Sequence, residues 1–263
     1  MIDQGSDQQI ERGRAFFNQR RPSTGKTAKP VFQYVFDVTK QLIPKGEGGQ
    51  TAIDLGCHWG RYTTVLAETY GRVIGVDFAE DALQTAEARP NISYVRLDLN
   101  KQADALRNYQ PVDCFLAIAI FEMLQSPGEI MQSMYQAGAG DCRAFVLVPN
   151  RRSLNYVSLR VALWAMRLLR GKDRYIYNNH LTQGRLVEYA EVAGFVIESS
   201  GAIVGVPVYM TSVLPDFLQR LLLSMDTIFL NVLGGSYHWI LCRKPKAHEP
   251  AAQAELGDTC KSF

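Results

Sequence analysis

From Thr51 onward, short apolar runs alternate with longer amphipathic stretches, the rhythm of βαβ units building a parallel sheet. The runs are TAIDL (51–55), RVIGVD (72–77), ISYVRLD (92–98), VDCFLAIAI (112–120) and RAFVLV (143–148). Each is short and bounded by Gly, Pro, Asp or Asn, which favours a strand buried on both faces over a piece of helix. Helices are expected between them, over Arg61 to Thr69, Ala79 to Ala88, Ala103 to Tyr109 and Gly128 to Ala137. A longer excursion from Pro149 to Asn179 follows the fifth run. Then come a helix from Gln183 to Ala193 closed by Gly194, a strand from Val196 to Ser200, an apolar helix after Pro215 and a last strand from Tyr237 to Cys242.

This order divides the chain into a helical, partly disordered arm over 1–45, a main domain over 46–244 and a polar tail over 245–263 expected to be disordered. Within the main domain, about 151–180 and 206–234 read as helical cap segments. Of the 263 residues, 47% are hydrophobic and 21% charged, as in an ordinary globular protein able to bury a sizeable core. The net charge of +2 is too mild for the concentrated basic footprint of a nucleic-acid protein. The basic N-terminal arm has few interleaved aromatics and reads as a solvated tail. Cys57, Cys114, Cys142, Cys242 and Cys260 form no CxxC pair, and MIDQGSDQQ lacks the basic head and apolar run of a signal peptide. A reduced, cytoplasmic setting follows as the expectation. The longest apolar stretch, Leu221 to Leu233, is interrupted by Ser224, Asp226 and Asn231, so no transmembrane helix is expected. The GKT at 25–27 follows no strand and lacks the upstream glycine of a phosphate loop.

The chemistry concentrates in AIDLGCHWGRYT, residues 52–63, where a strand ends in Asp54, turns through Gly56 and Gly60 and enters a helix. A glycine-rich turn at the carboxyl end of a first strand lets a ligand approach the backbone closely. About 20 residues on, the second strand ends in Asp77, whose carboxylate can accept from both ribose hydroxyls of a nucleoside. A dinucleotide-dependent oxidoreductase would want G-x-G-x-x-G, but positions 58 and 61 are His and Arg.

These residues resemble the class I S-adenosylmethionine-dependent methyltransferases over roughly Thr51 to Lys244, in the manner of relatives from quinone, polyketide and glycan pathways. Asp54, Gly56 and Gly60 match the first motif, Asp77 the ribose acid, Asp98 the residue beside the adenine amino group, and Glu122 in AIFEML the position after the fourth strand. His58 departs from the pattern, standing where the middle glycine is usual. The resemblance implies a Rossmann-like α/β fold, a seven-stranded mostly parallel sheet with helices on both faces and a helical cap after strand five. It implies S-adenosylmethionine as cofactor, with Cys57, Phe78, Leu99 and Ala119 joining the matched residues around it. It also implies a methyl acceptor that is small or lipid-like, with Glu122, His180 and His58 as candidate catalytic residues and Asn150 on the acceptor side. O-methylation is favoured because a candidate base is present; C- or N-methylation stays open. No NPPY-like motif of base methyltransferases follows the fourth strand, so nucleic acid is not expected as a partner, and the scattered histidines point to no metal. A degenerate module that binds a nucleoside or nothing is the alternative, and carboxylates kept at three successive strand ends speak against it.

VSLRVALWAMRLLR, residues 157–170, would be apolar almost all round with Arg160, Arg167 and Arg170 on one stripe, and the helix after Pro215 has the same character. Three readings stay open for this pair: a cap packed over the sheet, a homodimer surface, or a surface resting on a bilayer.

Overall fold

The computed structural model describes residues 29–170 and 181–246. Residues 1–28 of the expected helical arm, the expected tail over 247–263 and the stretch just before Leu181, His180 included, fall outside them; within the rest of the arm, Pro30–Leu42 is a helix. Seven strands form one sheet in the order β3-β2-β1-β4-β5-β7-β6. In chain order these are β1 (Thr51–Leu55), β2 (Arg72–Asp77), β3 (Ile92–Arg96), β4 (Val112–Ile118), β5 (Gly138–Pro149), β6 (Val196–Ile203) and β7 (Tyr237–Arg243). All pairings are parallel except those of β7, which runs antiparallel to both β5 and β6. Strand order reverses between β1 and β4, and the crevice outside their carboxyl ends is where open α/β sheets take ligands.

Neighbouring positions of the central strands serve opposite faces, as the pleat demands. Phe115 joins Leu55, Phe121, Met131, Met134 and Leu186 in one core, while Leu116 joins Val31, Leu66, Phe145 and Val208 in the other. Each such side chain, removed fully from water, stabilises the fold by about 1.5–3 kcal/mol. The helices are α1 (Pro30–Leu42), α2 (Thr63–Leu66), α3 (Glu80–Gln84), α4 (Leu99–Gln102), α5 (Pro127–Ala137), α6 (Leu154–Arg170), α7 (Gln183–Ala193), α8 (Val208–Thr211), α9 (Asp216–Leu223) and α10 (Asp226–Leu233). In α7, Thr182 caps the start by accepting from the Arg185 amide, and Gly194 ends it in the left-handed conformation at φ +102°.

The helices expected over 61–69 and 79–88 are single turns, α2 and α3, and the stretch 103–109 is a 3-10 helix. Thr85 helps to end α3, because its hydroxyl donates to the Asp81 and Ala82 carbonyls. The apolar helix after Pro215 is two helices. It breaks at Ser224–Met225, where the buried Asp226 carboxylate turns inward to accept from the Val206 amide at 2.9 Å and the Tyr34 hydroxyl at 3.1 Å. The second of those bonds, with one from the Val31 amide to Gln219 Oε1, fastens α1 to α9 and α10.

Candidate functional site

The first turn of the site is built by its glycines and by Asp77. Gly56 and Gly60 sit at φ +69° and +76°, a region that costs any other L-residue about 1–2 kcal/mol. A side chain at Gly56 would stand 2.9 Å from Ile120, and one at Gly60 would stand 2.2 Å from the Tyr94 hydroxyl, so both approaches are closed to larger residues. Gly56 and Cys57 donate their amides to the Val76 carbonyl, locking the end of β1 onto the end of β2. Asp77 then accepts from the His58 amide at 2.9 Å through Oδ2 and from the Ala79 amide at 2.8 Å through Oδ1. The Phe78 backbone adds a third hydrogen bond to this carboxylate.

Burial and the Asp77 charge push the Asp54 carboxyl up to about 7, against a 2.6 Å hydrogen bond from the Thr63 hydroxyl that favours its ionised form. Asp77 is also raised, by burial first, while its bonds from Ala79 and His58 and the nearby His58 ring hold it down. His58 sits at φ +50°, a non-glycine residue in left-handed backbone, with its ring 3.9 Å from that of Trp59. Beyond β3, Asp98 caps α4 by accepting from the Asn100 amide, and Asn100 Oδ1 accepts from the Gln125 amide at 2.8 Å. That contact joins the loops after β3 and β4 into one wall, with buried Leu99 behind it. Ala119 stands at φ +54° at the end of β4 and donates its amide to the Leu147 carbonyl, while Phe78 follows Asp77 half-buried.

Glu122 is the most unusual group. It is 2% exposed, neither carboxyl oxygen has a hydrogen-bond partner, and burial pushes its pKa up to about 8 despite the nearby Arg151 guanidinium. Arg151, just past the end of β5, donates to the Tyr156 hydroxyl and lies 4.9 Å over that ring. Tyr237, which opens β7, is pushed up by burial first and then by the charges of Tyr209, Tyr62 and Glu122. Among the described residues no three His, Cys, Asp or Glu side chains converge as metal ligands.

The two halves together, a glycine turn with carboxylates beyond three parallel strands and a buried acid beside it, fit an adenosine-bearing ligand with a second molecule next to it. Residues 28–200 match the family model described as a methyltransferase domain. The chain belongs to the methyltransferase-domain family. A curated relative, trans-aconitate 2-methyltransferase of Rhizobium rhizogenes (strain K84 / ATCC BAA-868), is 38% identical over 86 residues, and the match spans 32% of this chain and 32% of that protein. Among solved structures, a SAM-dependent methyltransferase from Archaeoglobus fulgidus aligns with a TM-score of 0.58 at 18% identity, covering 81% of this chain and 94% of that one. The N-methyltransferase NodS from Bradyrhizobium japonicum WM9, in complex with S-adenosyl-L-homocysteine, gives 0.57 at 10% identity over 90% of this chain and 100% of that one. The 4+2 cyclase SpnF gives 0.55 at 15% identity over 92% and 93%. S-adenosylmethionine is the methyl donor of this family, and likenesses of this size fix the fold without choosing an acceptor.

In this chain Asp54, Gly56, Cys57, Gly60, Asp77 and His58 meet at one turn, Asp98 and Leu99 stand beyond β3, and Ala119 and Glu122 lie beyond β4. Asn150, expected on the acceptor side, makes bonds that tie two strands together. Its side chain donates to the Gly235 carbonyl at 2.8 Å and accepts from the Arg152 amide at 3.0 Å, holding the entry of β7 against the exit of β5. Sequence reasoning missed Thr63, Tyr62, Arg151, Tyr209 and Tyr237. Only Thr63, nine residues after Asp54 on the expected helix, left a signal in the pattern.

Proposed function

We propose that this methyltransferase transfers the methyl group of S-adenosylmethionine to a hydroxyl of a small or lipid-like acceptor, with Glu122 as the general base. The buried, unpartnered Glu122 carboxyl beside the cofactor turn carries the reading. Asp54, Gly56, Cys57, Gly60, Asp77, Phe78, Asp98, Leu99 and Ala119 would hold the cofactor, Asp77 on the ribose hydroxyls and Asp98 beside the adenine. Bound there, S-adenosylmethionine supplies a methyl group activated by its sulfonium.

As the acceptor oxygen takes on the methyl group, the Glu122 carboxylate would take the hydroxyl proton. A pKa of about 8 suits this role, since the base is then partly ionised near neutral pH and strong enough to draw a proton from a phenol or sugar hydroxyl. Arg151 balances the charge that Glu122 carries before the transfer. Tyr62, Tyr209 and Tyr237 offer aromatic faces and hydroxyls to orient a phenolic, quinol or sugar acceptor. His58, packed on the Asp77 side of the turn, supports cofactor binding rather than proton transfer.

Isothermal titration with S-adenosylhomocysteine tests the cofactor half without knowledge of the acceptor. Micromolar binding is expected, weakened in Asp77→Ala by about 2–4 kcal/mol through two lost bonds to a charged group. Unchanged affinity in the variant would remove Asp77 from the site. An absence of binding to folded wild-type protein would leave a degenerate module on the same fold.

A further inference from the structure

Nearly all the large apolar side chains exposed among the described residues lie in one region. Phe32 and Val192 aside, they are Leu154, Val157, Val161 and Trp164 on α6 and a set running from Met210 to Leu233 over α8–α10. On α6 the spacing is i, i+3, i+7, i+10, a single helical face. Phe217, Leu221, Ile228 and Val232, each more than half exposed, continue the surface along α9 and α10. The Asn155 side chain accepts the Tyr209 amide at 3.0 Å, so α6 and α8 abut and the two stripes belong to one surface.

The charges point to what covers it. The α6 sequence has no acidic residue and three arginines, preceded by Arg151 and Arg152. Arg152, Arg160, Arg220 and Lys29 are exposed around the apolar face, Lys29 donating to the Ser212 carbonyl beside Val213, against a single exposed acid in α8–α10, Asp216. A second copy presenting the same basic rim would repel it, whereas an anionic surface would not. No helix among the described residues is long and apolar enough to cross a membrane. Topology adds a direction: α6 leaves the sheet at the carboxyl end of β5, and α8–α10 run from the carboxyl end of β6 to the start of β7. The surface therefore grows from the same sheet edge that carries Glu122, Arg151 and Tyr237.

We infer that α6 and α8–α10 dock this protein on an anionic lipid bilayer, with the apolar side chains in the headgroup boundary and the arginines on its phosphates. The docking stands independently of the chemistry proposed above; only its corollary, that the acceptor reaches the site from the bilayer, rests on that reading.

Co-sedimentation of the full chain with vesicles tests it, using phosphatidylcholine alone and phosphatidylcholine with one-third phosphatidylglycerol. The protein is expected to pellet with the anionic vesicles, less with the neutral ones, and less again as salt screens the arginines. Phe217→Glu/Ile228→Glu should lower partitioning by about tenfold or more with an unchanged thermal melt; should that pair unfold the chain, Val157→Glu/Trp164→Glu probes the same face from α6. Wild-type protein left in the supernatant, or folded variants that bind as wild type does, would overturn the inference. So would a dimer seen by sedimentation that both variants abolish and that leaves no vesicle binding. A failed S-adenosylhomocysteine titration alongside normal vesicle binding would instead remove the cofactor reading and keep the docking.

Discussion

Replacing Glu122 by Gln isolates the group on which the proposed chemistry turns. Its carboxyl is lifted from the ordinary 4.5 to about 8 by burial, and each pH unit in that interval corresponds to about 1.4 kcal/mol. Below 4.5 the folded and unfolded chains both hold the proton and the group contributes nothing. Between 4.5 and 8 the unfolded chain releases it while the folded chain keeps it, so wild-type stability falls as pH rises, by up to about 5 kcal/mol once pH exceeds 8. Glutamine cannot titrate and escapes that loss. Its buried amide carries a cost of about 1–3 kcal/mol that is the same at every pH, so the informative quantity is the change of the variant-minus-wild-type difference between pH 5 and pH 8.5. Asp54, also raised, titrates in both proteins and cancels. Urea unfolding followed by circular dichroism at the two pH values should find the variant gaining at least about 2 kcal/mol on the wild type at the higher pH. Parallel stabilities across that range would refute the claim that Glu122 is held protonated in a dry pocket. Under the proposed mechanism kcat/KM rises with pH through an apparent pKa near 8, and the variant loses both the rise and most of the rate.

Gly60→Ala should lower thermal stability by more than the 1–2 kcal/mol of its left-handed backbone, because the new methyl meets the Tyr94 hydroxyl; adding Tyr94→Phe should return part of the loss in a melting experiment. His58→Gly relieves the same kind of strain at φ +50° and is expected to raise stability by about 1 kcal/mol in denaturant unfolding, a gain that would be absent if the imidazole packing against Trp59 outweighs it.

The positions of the four carboxylates were legible in the sequence because they stand at or just past consecutive strand ends. A parallel strand brings its last residue to the ligand edge, so Asp54, Asp77, Asp98 and Glu122 could be placed by reading where each apolar run stopped. The acceptor side obeys no such rule. Tyr237 reaches the edge because β7 runs backwards between β5 and β6, and antiparallel insertion is invisible in a run of apolar residues that reads alike in either direction. Arg151 comes from a strand exit, and only the folded sheet brings it near Glu122. The lengths of α2 and α3 were overestimated for a related reason: periodicity marks amphipathic stretches and says little about where a helix stops.

The reversed strand also has an evolutionary reach. Everything between the end of β6 and the start of β7 is a closed excursion that begins and ends at one edge of the sheet, fastened there by Asn150 and the Ser236 backbone. Such an excursion can be lengthened, shortened or exchanged without altering the register of β1 through β4. Under the proposed function the residues that would hold the methyl donor lie outside this excursion, so a lineage can rewrite the excursion while that half of the chain stays under its own selection.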